Sequence, residues 1–230
     1  MDMVSERDPL LSVADAAAQL GVLPSRVRAV AESGQLHGRR VGRRWVFSSS
    51  EVARYAEGPR VAGRPLSASR SLGLLFELSG ERADWLDRIA RWKVLHSQAA
   101  HDPELLVARS RRRAERLERR AHPSDLPRIL SEPGVVRGGV SAVGDHGIEL
   151  VAPGQIEFYA EPARADELLR RYSLVPSDEP NVILHVVGIP QVLSGRDVMP
   201  LGVVIVDLLE SREPRAVVAA RRAWGRVRPR

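Results

Sequence analysis

The most distinctive chemistry in this 230-residue chain is a cluster of arginines between positions 26 and 44, interrupted by a single acid, Glu32. Guanidinium groups are too costly to bury without partners, so we expect these side chains to lie in solvent. A planar guanidinium donates paired hydrogen bonds to phosphate and to guanine. The cluster therefore predicts binding to a phosphate backbone. Its six members are Arg26, Arg28, Arg39, Arg40, Arg43 and Arg44.

A second set of residues has the types found in a catalytic site. Asp145 and His146 are adjacent and lie close to Ser141, which suggests a Ser-His-Asp combination. The surrounding sequence has neither a nucleophile-elbow pattern nor a glycine array that would form an oxyanion hole. Gly138-Gly139 before Ser141 is similar to the Gly-Ser opening of nucleotidyltransferases, but the spaced Asp-x-Asp for two metal ions does not follow. We therefore expect no catalytic residues, and we interpret His146 as a helix-end or core histidine.

The sequence also lacks the usual metal and cofactor patterns. The chain has no cysteine, which excludes disulfides, thiolate metal sites and a cysteine nucleophile. No Walker or Rossmann glycine pattern occurs. The other histidines have no HxxxH or HExxH spacing; they are His37, His96, His101, His122 and His185. The sequence thus predicts no metal ion, no cofactor and no enzyme activity.

Two short helices are predicted to position the first arginines. Ser12 precedes an Ala-rich run at 13–20 with Asp15 in its first turn, which is typical of a helix start. Pro24 suits the first position of a second helix, and Gly34 suits its end. The helical spacing of its apolar residues predicts a buried face of Leu23, Val27, Val30 and Ala31.

The remaining arginines of the cluster fall in a predicted β-hairpin. Residues 37–41 and 44–47 are strand-like runs on either side of a Gly-Arg turn at 42–43. Residues 48–51, Ser-Ser-Ser-Glu, predict the cap of a closing helix. The hairpin side chains expected to face the core are Val41, Trp45 and Phe47.

Five short segments between residues 11 and 57 have a characteristic spacing. They are Leu11-Ser12-Val13, Gly21-Val22, Pro24, Ser33-Gly34-Gln35-Leu36 and Val41-Gly42-Arg43-Arg44-Trp45. With these segments, residues 11–57 resemble winged helix-turn-helix domains of the MerR and excisionase type. Leu23 departs from the Ser or Thr N-cap common in that family, and the second helix lacks the aromatic residue often found late in it. The resemblance implies that this helix enters the major groove of duplex DNA and that the hairpin lies over the neighbouring backbone or minor groove.

We assign DNA-binding roles to seven residues on this basis. Those expected to contact base edges are Ser25, Arg26 and Arg28. Those expected to contact phosphates are Arg39, Arg40 and Arg43. Arg44 is expected to enter the minor groove.

The chain beyond residue 57 begins with a Pro- and Gly-rich segment that is typical of a linker. Apolar spacing then predicts helices at 69–80, 84–98 and 103–120. The second of these is predicted to be amphipathic, with Trp85, Ile89, Trp92 and Leu95 or His96 at spacings of three and four. From residue 121 strands and helices are mixed. Strands are predicted at 155–159 and 181–187, a short helix at 141–146, and longer helices at 165–172, 201–209 and from Glu213-Pro214 onward.

The end of the predicted helix at 103–120 holds seven arginines, from Arg109 to Arg120. We interpret this run as a solvated helix face on which Glu115 and Glu118 pair with arginines one turn away. A supplementary contact to the DNA backbone and a surface for a toxin or another partner are the alternatives.

Two acids, Asp207 and Glu210, lie in or beside the very apolar segment 201–209. We interpret them as capping acids or as ion pairs with Arg212 or Arg215.

Six short segments beyond residue 138 carry a second resemblance. They are Gly139-Val140-Ser141-Ala142, His146-Gly147, Ile156-Glu157-Phe158-Tyr159, Asn181-Val182-Ile183-Leu184, Asp207-Leu208-Leu209-Glu210-Ser211 and Glu213-Pro214-Arg215-Ala216. Through them, the region from about 70 to 225 resembles the C-terminal region of AbiEi-type antitoxins. These regulators are paired with nucleotidyltransferase-like toxins in bacterial abortive-infection systems. AbiEi antitoxins usually carry a different N-terminal winged helix, so the chain departs from that family at its N-terminus.

These patterns predict an α+β chain with an N-terminal winged helix-turn-helix, a helical middle segment and a C-terminal mixed α/β domain. The expected winged helix-turn-helix domain is 1–57, followed by a linker at 58–68. The helical segment 69–120 is expected to belong to the C-terminal domain or to a dimer interface. The AbiEi-like α/β domain is expected at 121–226, and a tail at 227–230.

The predicted function is that of a sequence-specific double-stranded DNA-binding transcriptional regulator of bacterial type, an autorepressing antitoxin-like protein. One alternative is an excisionase-like architectural or recombination-directionality factor; another is a regulator whose C-terminal domain senses an effector. The net charge of +6 agrees with a nucleic-acid partner. The expected partners are double-stranded DNA, a cognate nucleotidyltransferase-like toxin and a second copy in a homodimer, since one winged helix covers little DNA. We expect a cytoplasmic location, because neither a signal core nor a membrane-spanning run is found.

Overall fold

The structure, a computed structural model, describes residues 9–57 except 33, 35 and 43, and residues 65–227 except 212. The chain divides into two compact units, whose described parts are these two ranges. The fold is α+β, with one sheet of three strands and one of five in the described residues. Most of the predicted linker and tail lies outside those residues.

The N-terminal unit combines helices with a small antiparallel sheet. Its elements are β1 (Leu10–Ser12), α1 (Val13–Leu20), α2 (Pro24–Glu32), β2 (Arg39–Val41), β3 (Arg44–Ser48) and α3 (Ser49–Glu57). The central strand β3 pairs with both β1 and β2. The predicted helices and hairpin are confirmed. β1 is not apparent in the sequence, because three residues are too few to show an alternating pattern.

The start of α1 is fixed by a reciprocal cap. The amide of Asp15 donates to Ser12 Oγ at 3.3 Å, and the amide of Ser12 donates to Asp15 Oδ2 at 3.0 Å. Two amides that helix geometry leaves without partners are thereby satisfied. Gly21 ends the helix with a φ of 64°, a conformation that favours glycine.

The buried side of α2 differs from the prediction at one residue. Val27, Val30 and Ala31 are buried as expected. Leu23 is 73% exposed, so its assignment to the apolar face is wrong. The reason is that Leu23 precedes the helix, and its carbonyl oxygen accepts hydrogen bonds from the amides of Arg26 and Val27.

The hairpin contributes one large side chain to the core of the N-terminal unit. Phe47 is buried and packs over Gly38, where an added Cβ would lie 2.5 Å from the Phe47 ring. Trp45 is half-buried and stacks on Phe47 at 6.2 Å between ring centroids. Val41 is 53% exposed, so its prediction as a core residue is wrong. The register pairs Val41 with Arg44, on the face opposite to that of Trp45.

The C-terminal unit is a five-stranded mixed sheet with helices around it. Its helices are α4 (Ala68–Leu78), α5 (Arg88–Leu95), α6 (Pro103–Ser110), α7 (Leu126–Leu130), α8 (Pro162–Arg171), α9 (Pro190–Leu193), α10 (Leu201–Leu209) and α11 (Pro214–Ala223). Its strands are β4 (Glu115–Arg120), β5 (Val136–Arg137), β6 (Ile156–Ala160), β7 (Val175–Pro176) and β8 (Val182–Val186). The strand order is β5-β6-β8-β4-β7, with β6 and β8 parallel and the other pairs antiparallel.

The core of this unit is centred on α10, which is buried on nearly every side as its all-round apolar sequence predicts. α4 passes close to it at Gly202, where an added Cβ would lie 2.5 Å from the Leu75 carbonyl oxygen. Residues of α4, α5 and α6 share this core, and Val227, assigned to the tail, is buried in it too. No helix within the described ranges has the length and apolar character needed to cross a bilayer.

The predicted helix at 103–120 is wrong in its second half. α6 begins at Pro103 with the expected Asp102 cap, in which the Leu105 amide donates to Asp102 Oδ1 at 2.9 Å. It ends at Ser110, and residues 115–120 form β4 between β8 and β7. The helix propensity of Arg and Glu is a weak preference, and pairing with the apolar strand β8 overrides it.

Two other predicted helices are shorter than expected. The helix predicted at 84–98 is α5, which begins after the Asp87 cap. The helix predicted at 141–146 is a 3-10 helix, Gly139–Ala142, followed by turns.

Candidate nucleic-acid interface

The exposed side of α2 carries the arginines of the predicted recognition helix. Arg26 and Arg28 are both exposed, as is Ser25. Val27 is buried, and Arg26 and Arg28 each stand one residue, or about 100°, from it on either side of the helix. These two arginines therefore flank the outer face of α2, and Ser25 lies between them, opposite the buried side, where a groove of DNA has access.

The hairpin arginines point from both faces of the β2–β3 ribbon. Arg44 lies opposite Val41, and Arg39 is two residues from Val41, so Arg39 and Arg44 share one face. Arg40 lies opposite Trp45 on the other face, with its guanidinium carbon 5.7 Å from the Trp45 ring centroid. The described hairpin arginines are thus divided between two faces, because side chains alternate along a strand. Arg39 and Arg44 therefore place two positive charges on the same face of this ribbon.

These exposed arginines have no acidic partner in the described ranges. Among the residues that the structure describes, no carboxylate forms an ion pair with Arg26, Arg28, Arg39, Arg40 or Arg44, all of which are exposed. Glu51, the first acid of α3, instead pairs with Arg54 and lies 3.7 Å from His37 Nδ1. Arg43, predicted as a phosphate contact, lies outside the described residues. Within the described part of the N-terminal unit, five guanidinium groups thus face solvent without a carboxylate partner.

The C-terminal unit contains a second concentration of charge, and this one is buried. It is called here the buried polar cluster and consists of Arg113, Glu157, Tyr159, His185, Asp207 and Glu210. Arg113 belongs to the loop between α6 and β4, whereas the others lie on or beside β6, β8 and α10. The cluster thus joins the sheet to the central helix.

Arg113 and Asp207 form the centre of the buried polar cluster. Arg113 Nη2 donates to Asp207 Oδ1 at 2.7 Å and to Glu210 Oε2 at 2.6 Å. The Tyr159 hydroxyl also donates to Asp207 Oδ1, at 2.7 Å. The amide of Gly139 donates to Asp207 Oδ2 at 3.0 Å, so both oxygens of this buried carboxylate have partners.

One interpretation made from the sequence is wrong at this cluster, because Arg113 does not lie on a solvated helix face and its side chain is 3% exposed. Asp207 and Glu210 do form ion pairs, but their partner in the described residues is Arg113 and not the exposed Arg215. Arg212, the other expected partner, lies outside the described residues. Sequence proximity suggested those partners, whereas the fold brings together residues that are 94 positions apart.

Glu157 and His185 form the other half of the cluster. His185 Nε2 lies 2.8 Å from Glu157 Oε1, and the imidazole stacks on the Tyr159 ring at 4.4 Å between centroids. Burial raises the pKa of Glu157 to about 6 and lowers the pKa of His185 to about 4. The imidazole is therefore neutral at pH 7 and is held in place by its carboxylate partner.

Glu157, His185 and Asp207 bring one potential metal ligand each to within 4.8 Å of one another. Their oxygens already take part in hydrogen bonds inside the cluster, including one from the Val140 amide to Glu157 Oε2 at 3.3 Å. Arg113 already provides positive charge beside Asp207. The donor set fits an internal hydrogen-bond network better than a metal centre.

The catalytic combination considered from the sequence is not assembled by the fold. Ser141 Oγ accepts from the Glu157 amide at 2.9 Å, and Asp145 pairs with Arg137 at 3.0 Å. His146 Nε2 lies 2.8 Å from the Met199 carbonyl oxygen. In the described part of the chain, no hydrogen bond joins Ser141, Asp145 and His146.

The sequence contained a signal for the buried polar cluster that composition alone does not reveal. Glu157 stands within the strand sequence Ile-Glu-Phe-Tyr-Ala, and His185 stands within Val-Ile-Leu-His-Val. A polar residue inside a strand that is buried on both faces requires a partner inside the protein. The sequence did not show which residue would be that partner.

Comparison with known families identifies the type of domain that forms the N-terminal unit. Residues 10–60 match the helix-turn-helix domain family, which covers the whole arginine cluster. Neither a curated protein nor a solved structure matches the chain. The N-terminal unit is accordingly a helix-turn-helix domain, of the kind that binds DNA in transcriptional regulators.

Proposed function

We propose that this protein is a sequence-specific regulator of transcription that binds double-stranded DNA through α2 and the β2–β3 hairpin. The observation that carries the proposal is the set of exposed arginines on a helix-turn-helix domain, none of which has a carboxylate partner among the residues that the structure describes. Neutralising phosphates releases counterions from DNA, and charges without protein partners are free to make those contacts.

The side-chain directions suggest a division of roles within this surface. Ser25, Arg26 and Arg28 of α2 read base edges in the major groove. Arg39 and Arg44 share a face of the hairpin, which positions the ribbon on the backbone and lets Arg44 reach into the minor groove. Phosphate contacts by Arg40 and Arg43 complete the proposed set.

A footprint of the full-length protein on the DNA upstream of its own gene tests this proposal. We expect one protected site, at which Arg28→Ala weakens binding by about 1–3 kcal/mol while affinity for random duplex changes little. Arg54→Ala is the matched control, because Arg54 is an exposed arginine of the same unit that is already paired with Glu51. Equal losses on the specific and random duplexes for Arg28→Ala would refute base reading by this residue.

We further propose an antitoxin-like role in a bacterial toxin-antitoxin or abortive-infection system, with repression of its own operon. This proposal is supported by the resemblance of the region from 70 to 225 to AbiEi-type antitoxins. The partner would be a nucleotidyltransferase-like toxin encoded beside it, and both would act in the cytoplasm. Co-expression tests the idea: the chain should relieve growth arrest by the neighbouring toxin, and continued arrest would contradict it.

We also propose that this protein acts by binding its partners and not by catalysis. The residues with the greatest catalytic potential are sealed in the buried polar cluster or engaged with separate partners. Substrate would reach the centre of that cluster only by opening the core between the sheet and α10.

A homodimer is proposed for the DNA-bound form, because two winged helices double the contacted sequence. Binding as a dimer to one inverted repeat would support the repressor.

DNA bending and cooperative filaments on direct repeats would instead favour the excisionase-like alternative, which the N-terminal unit alone also supports. An effector-sensing role for the C-terminal unit predicts that a small molecule raises its melting temperature.

A further inference from the structure

Helix α5 presents two large apolar side chains to solvent one turn apart. Ile89 is 63% exposed and Trp92 is 59% exposed, and this pair is called here the α5 ridge. The other large hydrophobic side chains exposed on the described C-terminal unit are single valines on separate elements, Val151, Val175 and Val218. Single exposed apolar residues are common on protein surfaces, whereas adjacent ones mark interaction surfaces.

The apolar spacing in this helix predicted that Ile89 and Trp92 would share a side, and in the structure that side faces solvent. α5 instead turns Ala90 and Val94 toward the core. An ion pair with α4 holds this orientation: Arg91 Nε donates to Glu77 Oε1 at 2.6 Å, and Arg91 Nη2 donates to Glu77 Oε2 at 3.1 Å. Rotating the helix to bury the ridge would break the ion pair and expose Ala90 and Val94.

The indole of Trp92 is also held in place on the surface. It stacks on the imidazole of His96, with 4.3 Å between ring centroids and 21° between planes. His96 Nδ1 in turn lies 2.9 Å from the Trp92 carbonyl oxygen. A side chain that is already ordered loses less conformational entropy on binding, and tryptophan is among the residues that contribute most to protein interfaces.

Positive charge surrounds the α5 ridge. An open groove of about 450 Å³ runs beside Ile89 and is lined by Arg70, Arg88 and Lys93 as well as Asp87. No ion pair joins these three exposed cations to an acid in the described ranges. Asp87 is the lone acid of the groove lining, and its carboxylate is occupied as the cap of α5. The groove therefore complements carboxylates.

We propose that the α5 ridge and its basic groove bind an acidic, amphipathic segment of a partner protein. Apolar side chains of that segment would cover Ile89 and Trp92, and its carboxylates would face Arg70, Arg88 and Lys93. The aliphatic side chain of Ile89 gains from apolar contact and not from base stacking, and one face of the indole is already covered by His96. A protein partner therefore fits this surface better than nucleic acid does. This site does not depend on DNA binding by the N-terminal unit.

Fluorescence anisotropy with the full chain tests the proposal. The probe is a labelled helical peptide with Leu and Phe on one face and Glu on the other. We expect it to bind, and we expect Trp92→Ala and Lys93→Glu each to weaken binding about tenfold or more. Val218→Ala, an exposed apolar truncation elsewhere on the unit, should leave the affinity unchanged. Circular dichroism and the melting temperature establish that the variants are folded.

Three further measurements distinguish other occupants. A peptide with Lys in place of Glu should bind at least about tenfold more weakly, and equal binding would overturn the charge argument. A single-stranded oligonucleotide that binds the wild type more tightly than the acidic peptide, and loses this binding in Trp92→Ala, would overturn the proposal in favour of nucleic acid. A wild-type dimer that Trp92→Ala dissociates in sedimentation would assign the ridge to self-association. Absence of peptide binding would also overturn the proposal.

Discussion

Replacing Arg113 with alanine tests whether the buried polar cluster holds the C-terminal unit together. The substitution removes the cation that contacts Asp207, Glu210 and the Tyr159 hydroxyl. Asp207 has a fully buried side chain, so its charge would be left with hydrogen bonds but without a counterion.

The size of the destabilisation follows from the complete burial of the Asp207 side chain. Removing one partner of a buried ion pair costs about 3–5 kcal/mol, because the remaining charge is neither solvated nor neutralised. For a unit of this size, a loss of that magnitude lowers the melting temperature by roughly 6–20 °C. Because burial raises the pKa of Asp207, acid should protonate this carboxyl when Arg113 is absent. The difference between variant and wild type should therefore narrow toward acidic pH.

Urea and thermal denaturation of the full chain, followed by circular dichroism, measure this effect in the transition of the C-terminal unit. Arg112→Ala is the matched control, since Arg112 is the exposed neighbour in the same arginine run and its loss should change stability by less than about 0.5 kcal/mol. Arg113→Lys keeps the charge without the planar fork, so we expect an intermediate loss. If Arg113→Ala and Arg112→Ala were equally stable, the structural role assigned to the cluster would be wrong.

Three other changes in stability follow from the structure. Burial lowers the pKa of His185 to about 4, so the stability contributed by the neutral imidazole should be lost as pH falls from about 6.5 to about 4. Burial raises the pKa of Glu157 to about 6, so this group should instead stabilise the protein as pH falls from about 6 to about 4.5. Glu157→Gln removes this opposing contribution, so its stability should fall more steeply on acidification than that of the wild type, by about 1–2 kcal/mol in urea titrations, and a shallower slope would contradict the reasoning. Gly139→Ala should cost about 3 kcal/mol or more, since φ is 40° and the added Cβ would lie 1.7 Å from Glu157 Oε2, whereas Gly144→Ala, with open space around it, should be nearly neutral in the same melts. Ser12→Ala should destabilise the N-terminal unit by about 1 kcal/mol, because the cap of α1 is lost. If the unfolding transition of the N-terminal unit did not change, the cap would contribute little to its stability.

The sequence predicts the N-terminal unit well because the causes of its structure are local. The cap at Ser12, the glycine at position 21 and the spacing of Val27 and Val30 each act within a few residues. Its two errors are at Leu23, which precedes α2 and is exposed, and at Val41. Val41 lies on the face opposite to that of Trp45 because the pairing of β2 with β3 decides which side each residue occupies.

The buried polar cluster could not be predicted, because its members are distant in sequence. Arg113 is one of seven arginines in a run, and nothing local distinguishes it from Arg112. Only the placement of β4 beside β8 puts the loop before β4 near α10. The α5 ridge was missed for a related reason. A helical period shows that Ile89 and Trp92 share a side, but not whether that side faces the core or solvent.

The most direct test of DNA binding by the helix-turn-helix domain is the salt dependence of its affinity for random duplex DNA. The full-length wild type is compared with the double variant Arg39→Ala/Arg44→Ala and with Arg54→Ala. Each phosphate contact contributes about 0.9 to the slope of log K against log salt, so the double variant should lose nearly 2 from that slope and Arg54→Ala almost nothing. An unchanged slope in the double variant, or a wild type that does not bind duplex DNA at low salt, would contradict the account.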